Sequence, residues 1–190
     1  VLTDGLGNFE QALENFKPKE KIDFEIKVTH NDYLGKNFTF NHTLADKNRL
    51  TLNKLLDRDL SLMKIKKDLD LGKLLNLQPI YFESGKADIT TSSELELDKI
   101  IAVMNENPKI RIELSSHTDS RGSASANQAL SQRRADASTN YIISKGIEKS
   151  RIVAKGYGET KLTNGCKDGV PCSSEQHAAN RRTEFRVIGY

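Results

Sequence analysis

Hydrophobic and polar residues alternate over Asp23-Phe-Glu-Ile-Lys-Val-Thr29 and again over Asn37-Phe-Thr-Phe-Asn41. A period of two puts successive side chains on opposite faces, so both stretches predict strands of a half-buried antiparallel sheet. Between residues 46 and 77 leucines are scattered among Lys and Asp with no sustained period, which reads as a sandwich edge strand followed by a connecting segment. Clear punctuation begins at Pro79. Ile80-Tyr-Phe82 reads as a short strand and Glu83-Ser-Gly-Lys-Ala-Asp88 as a polar loop. Thr91 and Glu94 have the spacing of a capping box, after which Leu97, Ile100, Ile101 and Met104 recur at helical spacing until Asn107-Pro108 ends the run. Ile110, Ile112 and Leu114 alternate with Arg111 and Glu113, a strand with one wet face. A second helix is predicted from about Ser123 to Gly146, carrying Leu130, Ala137, Tyr141 and Ile142 toward the core. Strands over Ile152 to Tyr157 and Thr183 to Ile188 follow. The order strand, helix, strand, helix, strand, loop, strand predicts an α+β domain, a two-layer α/β sandwich with a mixed sheet and helices on one face.

Composition narrows the classes. With 36% hydrophobic residues the 190-residue chain can support a core. Its 29 Lys and Arg are interspersed with 26 Asp and Glu, so the net charge of +3 makes no broad field for nucleic acid. No apolar run reaches the length of a membrane span, and the opening VLTDGLGNFE lacks the basic and apolar regions of a signal peptide. Any export signal or anchor is therefore expected outside these residues. Cys166 and Cys172 lie six positions apart in a polar stretch, so a local disulfide is expected in an oxidising compartment. Their spacing does not suit a zinc ribbon, and adding His177 still leaves a fourth ligand missing. No cofactor is expected.

Candidate chemistry gathers where Ser115-Ser-His-Thr-Asp-Ser-Arg-Gly122 leaves a strand and enters a helix, because free backbone amides and the helix dipole collect ligands there. On that helix Asn127 and Arg134 are seven residues apart, which is a turn of only about 20° and a rise of about 10 Å. Leu130 lies between them on the same face, and Asp119 stands at the mouth. An acceptor, an amide, an apolar contact and a guanidinium thus share one concave edge. Arg133 points roughly 100° away and should be solvated.

The motifs Ser116-His-Thr-Asp-Ser-Arg-Gly122, Asn127-Gln-Ala-Leu-Ser-Gln-Arg-Arg-Ala135, Gly156-Tyr-Gly-Glu159 and Asn180-Arg-Arg-Thr-Glu184 resemble the OmpA-like peptidoglycan-binding family, which includes peptidoglycan-associated lipoproteins and the periplasmic part of flagellar stators. The resemblance covers about residues 79 to 190. It implies non-catalytic binding of peptidoglycan through the meso-diaminopimelate residue of the peptide stem, in the periplasm, tethering the outer membrane or an envelope complex to the cell wall. Asp119 would take the ammonium of diaminopimelate, and Arg134 its carboxylate through a two-pronged contact that Lys could not reproduce. By the same resemblance Phe82 and Glu83 end the first strand beside the pocket, Thr118 and Gly122 shape the loop, and Arg182 closes the far side. Three positions depart from the family pattern: Ser116 replaces the usual Gly, Glu83 a more common Asp, and Ala126 a common aromatic. Separately, Thr3-Asp-Gly-Leu-Gly-Asn-Phe9 resembles a turn of carboxypeptidase-regulatory β-sandwich modules. The expected organisation is a partial β-sandwich over 1–60, a linker over 61–78 and the OmpA-like domain over 79–190.

Other readings of the same residues are blander. Asp119 alone could cap a turn. Arg181 and Arg182 could each form an internal ion pair, and family position favours Arg182 for the site. His117 is expected to make structural hydrogen bonds, because no nucleophile with a base accompanies it. Tyr157 and Glu159 read as turn and packing residues. A further expectation is that the N-terminal module contacts other envelope or secretion-complex proteins.

Overall fold

The computed structural model describes residue 17 and residues 19–28, 33–43, 64–83 and 85–190. The turn at Thr3 to Phe9 and the edge strand expected before residue 60 lie outside the described residues. The chain divides into two compact units. In the first, β1 (Lys21–Val28) and β2 (Lys36–Thr43) pair antiparallel, with Ile22 opposite His42 and Val28 opposite Lys36. Lys21, Asp23, Glu25 and Lys27 are exposed and Ile22 is buried, the alternation that the period of two predicts.

The second unit holds α1 (Leu71–Leu74), α2 (Thr91–Glu106), β3 (Arg111–His117), α3 (Ala124–Ser144), β4 (Ile152–Gly158), α4 (Ser174–Ala178) and β5 (Thr183–Gly189). Its sheet has the order β4-β3-β5, with β3 parallel to β4 and antiparallel to β5. The parallel pair requires a crossover, and α3 supplies it. Ile110, Ile112, Leu114, Phe185 and Val187 bury one sheet face with Leu97, Ile100, Met104 and Ile142 from α2 and α3. This is the expected two-layer sandwich on a mixed sheet.

Four details differ from the sequence reading. Ile80-Tyr-Phe82 is extended but joins no sheet; the Tyr81 amide donates to Ser93 Oγ, which donates back to the Tyr81 carbonyl, so a helix side chain replaces a strand partner. The N-cap of α2 is Thr90, one residue before the expected box, and its hydroxyl accepts from the Ser93 amide. Residues 64–78, expected within a linker, are built into the domain: Leu71 is wholly buried, Asp70 accepts from the Phe185 amide, and the Asp68 and Val187 backbones bond along the free edge of β5. Finally, α3 buries Ile142 as predicted but otherwise turns a different face inward. Asn127, Ser131, Arg134, Ala135, Ser138, Thr139 and Ile142 point inward, while Leu130, Ala137 and Tyr141 are half-buried. Small side chains are needed because the helix nearly touches β4: a Cβ on Gly156 would lie 2.3 Å from the Gln132 amide nitrogen. Ser131 Oγ accepts from Gly158 N, and Gln128 and Gln132 bond the Gly156 backbone.

Candidate functional site

The site is built at the C-terminal end of β3. His117 N donates to Arg182 O and Thr118 N to Gly158 O, which clamps the exit of the strand between its two neighbours. The next residue, Asp119, has a side chain only 8% exposed. Its Oδ1 accepts from the Arg121 amide, and its Oδ2 accepts from Arg121 Nη2 at 2.9 Å and Arg181 Nη1 at 2.6 Å. Burial alone would raise the pKa of Asp119, but the bonds from Arg121 and Arg181 hold it below the ordinary carboxylate value. Gly122 turns the loop at φ +102°, a conformation that glycine adopts without strain, and Ser123 caps α3.

One turn into the helix, the Asn127 amide donates to the carbonyls of Asp119 and Arg121 and to Glu159 Oε2. It acts as a pin under the loop. Two turns further along, Arg134 donates from Nε to Lys86 O at 3.0 Å and from Nη2 to Glu83 O at 3.2 Å, with its guanidinium carbon 5.0 Å from the centre of the Phe82 ring. Its Nη1 makes no hydrogen bond to the described residues. Burial lowers the pKa of Arg134, as do the charges of Arg181 and Arg133, whereas Asp119 raises it. The arginine remains charged at any physiological pH.

The structure therefore brings Asp119, Asn127 and Gly122 together, and Arg134 with Phe82 and the Glu83 backbone. No hydrogen bond joins Asp119 to Arg134. The Glu83 carboxylate pairs with Lys86, Leu130 is half-buried between Asn127 and Arg134, and Thr118 Oγ1 is buried without a hydrogen-bond partner among the described residues. Arg182 makes no hydrogen bond to Asp119 or Arg134. Its Nε donates to Glu184 Oε1 at 2.8 Å and its Nη1 to Lys161 O, while Arg186 binds the other oxygen of Glu184. Arg181 makes the contact to Asp119 instead. Arg182 lies just before β5 and forms one charged group with Glu184 and Arg186 of that strand, an i, i+2 spacing that was visible in the sequence.

His117 also differs from expectation. Its ring lies flat on Tyr157 with centroids 5.2 Å apart, and neither ring nitrogen has a hydrogen-bond partner. Burial and the Arg182 charge push its pKa down to about 4, so it is a neutral stacking residue at pH 7. Glu159, read as a turn residue, holds Asn127.

Cys166 and Cys172 are joined, as expected. Their loop braces the site, since Ser120 Oγ donates to Cys166 O at 2.7 Å. Asn180, next to Arg181, accepts from the Thr163 amide and donates to Asn164. A polar cleft of about 460 Å³ opens between Ser120 and Glu159 on one side and Asn164 with Lys167 and Asp168 of the disulfide loop on the other. Among the described residues no His, Cys, Asp and Glu cluster is arranged to hold a metal, and no helix is long and apolar enough to cross a membrane.

The second unit is thus a two-layer sandwich that places a buried carboxylate, Asp119, and a buried guanidinium, Arg134, at one strand-to-helix junction. Residues 81–174 match the OmpA family, so the chain carries an OmpA family domain there. It is 38% identical over 82 residues to the peptidoglycan-associated lipoprotein of Haemophilus influenzae, a match covering 43% of this chain and 54% of that protein. It is 32% identical over 114 residues to outer membrane protein P5 of the same species, covering 58% of this chain and 32% of the relative. The chain thus spans about half or less of these curated relatives. The crystal structure of the peptidoglycan-associated lipoprotein from Burkholderia pseudomallei shares the fold, with a TM-score of 0.52 at 22% identity, over 60% of this chain and 92% of that one.

Proposed function

We propose that the C-terminal domain binds peptidoglycan without catalysis, gripping the meso-diaminopimelate residue of the stem peptide, and so tethers the outer membrane or an envelope complex to the cell wall from the periplasm. The observation that carries this reading is the placement of two buried opposite charges, Asp119 and Arg134, on the loop and helix of one junction. The far end of diaminopimelate offers an ammonium and a carboxylate from a single carbon. Asp119 is the acceptor for the first. Arg134, pinned through Nε and Nη2 and with no bond from Nη1 among the described residues, is the donor for the second. Lysine-type stems lack that carboxylate and would leave the guanidinium unpaired, at a cost of about 1–3 kcal/mol, roughly 5- to 150-fold in affinity. The relatives named for association with peptidoglycan support the same reading. Co-sedimentation with diaminopimelate-type and lysine-type peptidoglycan tests it. Asp119→Asn and Arg134→Gln should each lose binding while keeping the far-UV circular dichroism of the parent. Undiminished binding in both variants would remove these residues from the site.

A further inference from the structure

The two contacts proposed above do not balance the charges assembled around them. Asp119 and Glu159 bring two carboxylates to the junction, whereas Arg121, Arg134 and Arg181 bring three guanidiniums. Glu83 and Lys86 pair with each other and cancel, and Arg133 on the exposed side of α3 only adds to the excess. An amino-acid terminus carrying one ammonium and one carboxylate is neutral. Binding it leaves the surplus positive charge in place.

The arginines differ in what binding would do to them. Arg121 is 58% exposed and two residues from Asp119, so it can return to water when a ligand ammonium takes Oδ2. Arg181 is 40% exposed and lies beside Asn180, whose side chain is tied to Thr163 and Asn164 just before the disulfide loop. Its Nη1 rests on the same Oδ2, 2.6 Å away, and its charge acts on Arg134 as well, so it stands at the same junction. An ammonium arriving at Asp119 takes away its partner. A planar, part-buried guanidinium is best satisfied by another carboxylate.

We infer that Arg181 is a specificity-determining residue of the ligand site, which takes a second carboxylate of the stem peptide once Asp119 has turned to the ligand ammonium. This rests on the function proposed above and names the chemistry it selects: a stem with a free carboxylate beyond the diaminopimelate terminus. That group is either the C-terminal carboxylate of the peptide or the carboxylate of the residue preceding diaminopimelate.

Isothermal titration of the full chain with three stem peptides tests the inference: one with all carboxylates free, one amidated at its C-terminus, and one amidated at the preceding residue. A charge-assisted contact contributes about 1.5–3 kcal/mol, so one amidated probe should bind the parent about tenfold or more weakly, and which one identifies the source. Arg181→Gln should bind that probe and the free peptide within about twofold of each other, whereas Arg121→Gln should keep the discrimination. Equal binding of all three peptides by the parent overturns the inference and leaves the parent reading standing, as does discrimination that survives in Arg181→Gln. Failure of every peptide to bind overturns both.

Discussion

Replacing Gly156 with alanine probes the contact that sets α3, and with it Asn127 and Arg134, against the sheet. The added Cβ would lie 2.3 Å from Gln132 N, 2.6 Å from Gln132 Cα and 2.6 Å from Ser131 Oγ. The first two neighbours are helix backbone and cannot swing away. Restoring an ordinary separation of about 3.5 Å requires α3 and β4 to part by roughly 1 Å. That movement stretches three bonds now at 2.8 Å: Gly156 N to Gln132 Oε1, Gln128 Nε2 to Gly156 O, and Gly158 N to Ser131 Oγ. Overpacking of this kind costs about 1–3 kcal/mol, and each weakened bond adds about 0.5–1 kcal/mol. A total near 3–5 kcal/mol lowers the Tm of a domain this size by roughly 10–20 °C. Gly122→Ala is the control: its Cβ would meet nothing within 4 Å, and only φ +102° opposes it, a cost of about 1–2 kcal/mol. Because the chain has no tryptophan, scanning calorimetry or circular dichroism at 222 nm is the suitable assay. Gly156→Ala melting within 3 °C of the parent, or above Gly122→Ala, would refute the close-approach argument.

Three further outcomes follow from the same geometry. His117 has its pKa pushed from 6.5 to about 4, so the unfolded chain binds the extra proton; its stabilisation is complete above pH 6.5 and gone once the pH falls through about 4, a loss of about 2–4 kcal/mol. His117→Phe should flatten that part of a urea-stability profile against pH, and an unchanged profile would show that the ring is not responsible. Asp119 titrates below the ordinary carboxylate range, so its contribution persists through that window and is lost only in stronger acid; Asp119→Asn should lower the urea midpoint at pH 7 by an amount that shrinks at acid pH. Reducing Cys166–Cys172 with a dithiol should cost about 2 kcal/mol for so short a loop, and if the loop braces the site, Ser120→Ala in the oxidised protein should also weaken peptidoglycan binding, with the Tm nearly unchanged.

Much of the fold could be read from periodicity because each strand of the sheet has one buried face. Ile110, Ile112 and Leu114 alternate cleanly, and so do Phe185 and Val187. The reading failed where burial was not achieved by apolar side chains. The inner face of α3 is Ser131, Ala135 and Ser138 because two backbones meet there, so the leucine-based pattern selected Leu130 and Ala137, which are only half-buried. Gly156 and Gly158, facing that helix across the sheet, were the available sign of close approach. Residues 64–78 showed no period because a short helix and an edge bridge share the stretch, and Leu71 is buried by tertiary contact alone.

The site was legible to a different degree, and the reason lies in what each residue contacts. Helical geometry aligned Asn127 with Arg134, since both belong to one regular element. Nothing local shows that Asn127 would spend its amide on loop carbonyls and Glu159, or that Arg134 would be gripped by carbonyls nearly fifty positions earlier. Those partners come from separate elements, and only folding sets them face to face. The exchange between Arg181 and Arg182 is instructive in the other direction. Family position favoured Arg182, but Arg182, Glu184 and Arg186 already satisfy one another's charges, with Glu184 accepting from both arginines. An arginine whose carboxylate partner lies two residues away has little left for a ligand. Its neighbour, Arg181, has no such partner in register and must find one across the fold. Asp119 is that partner.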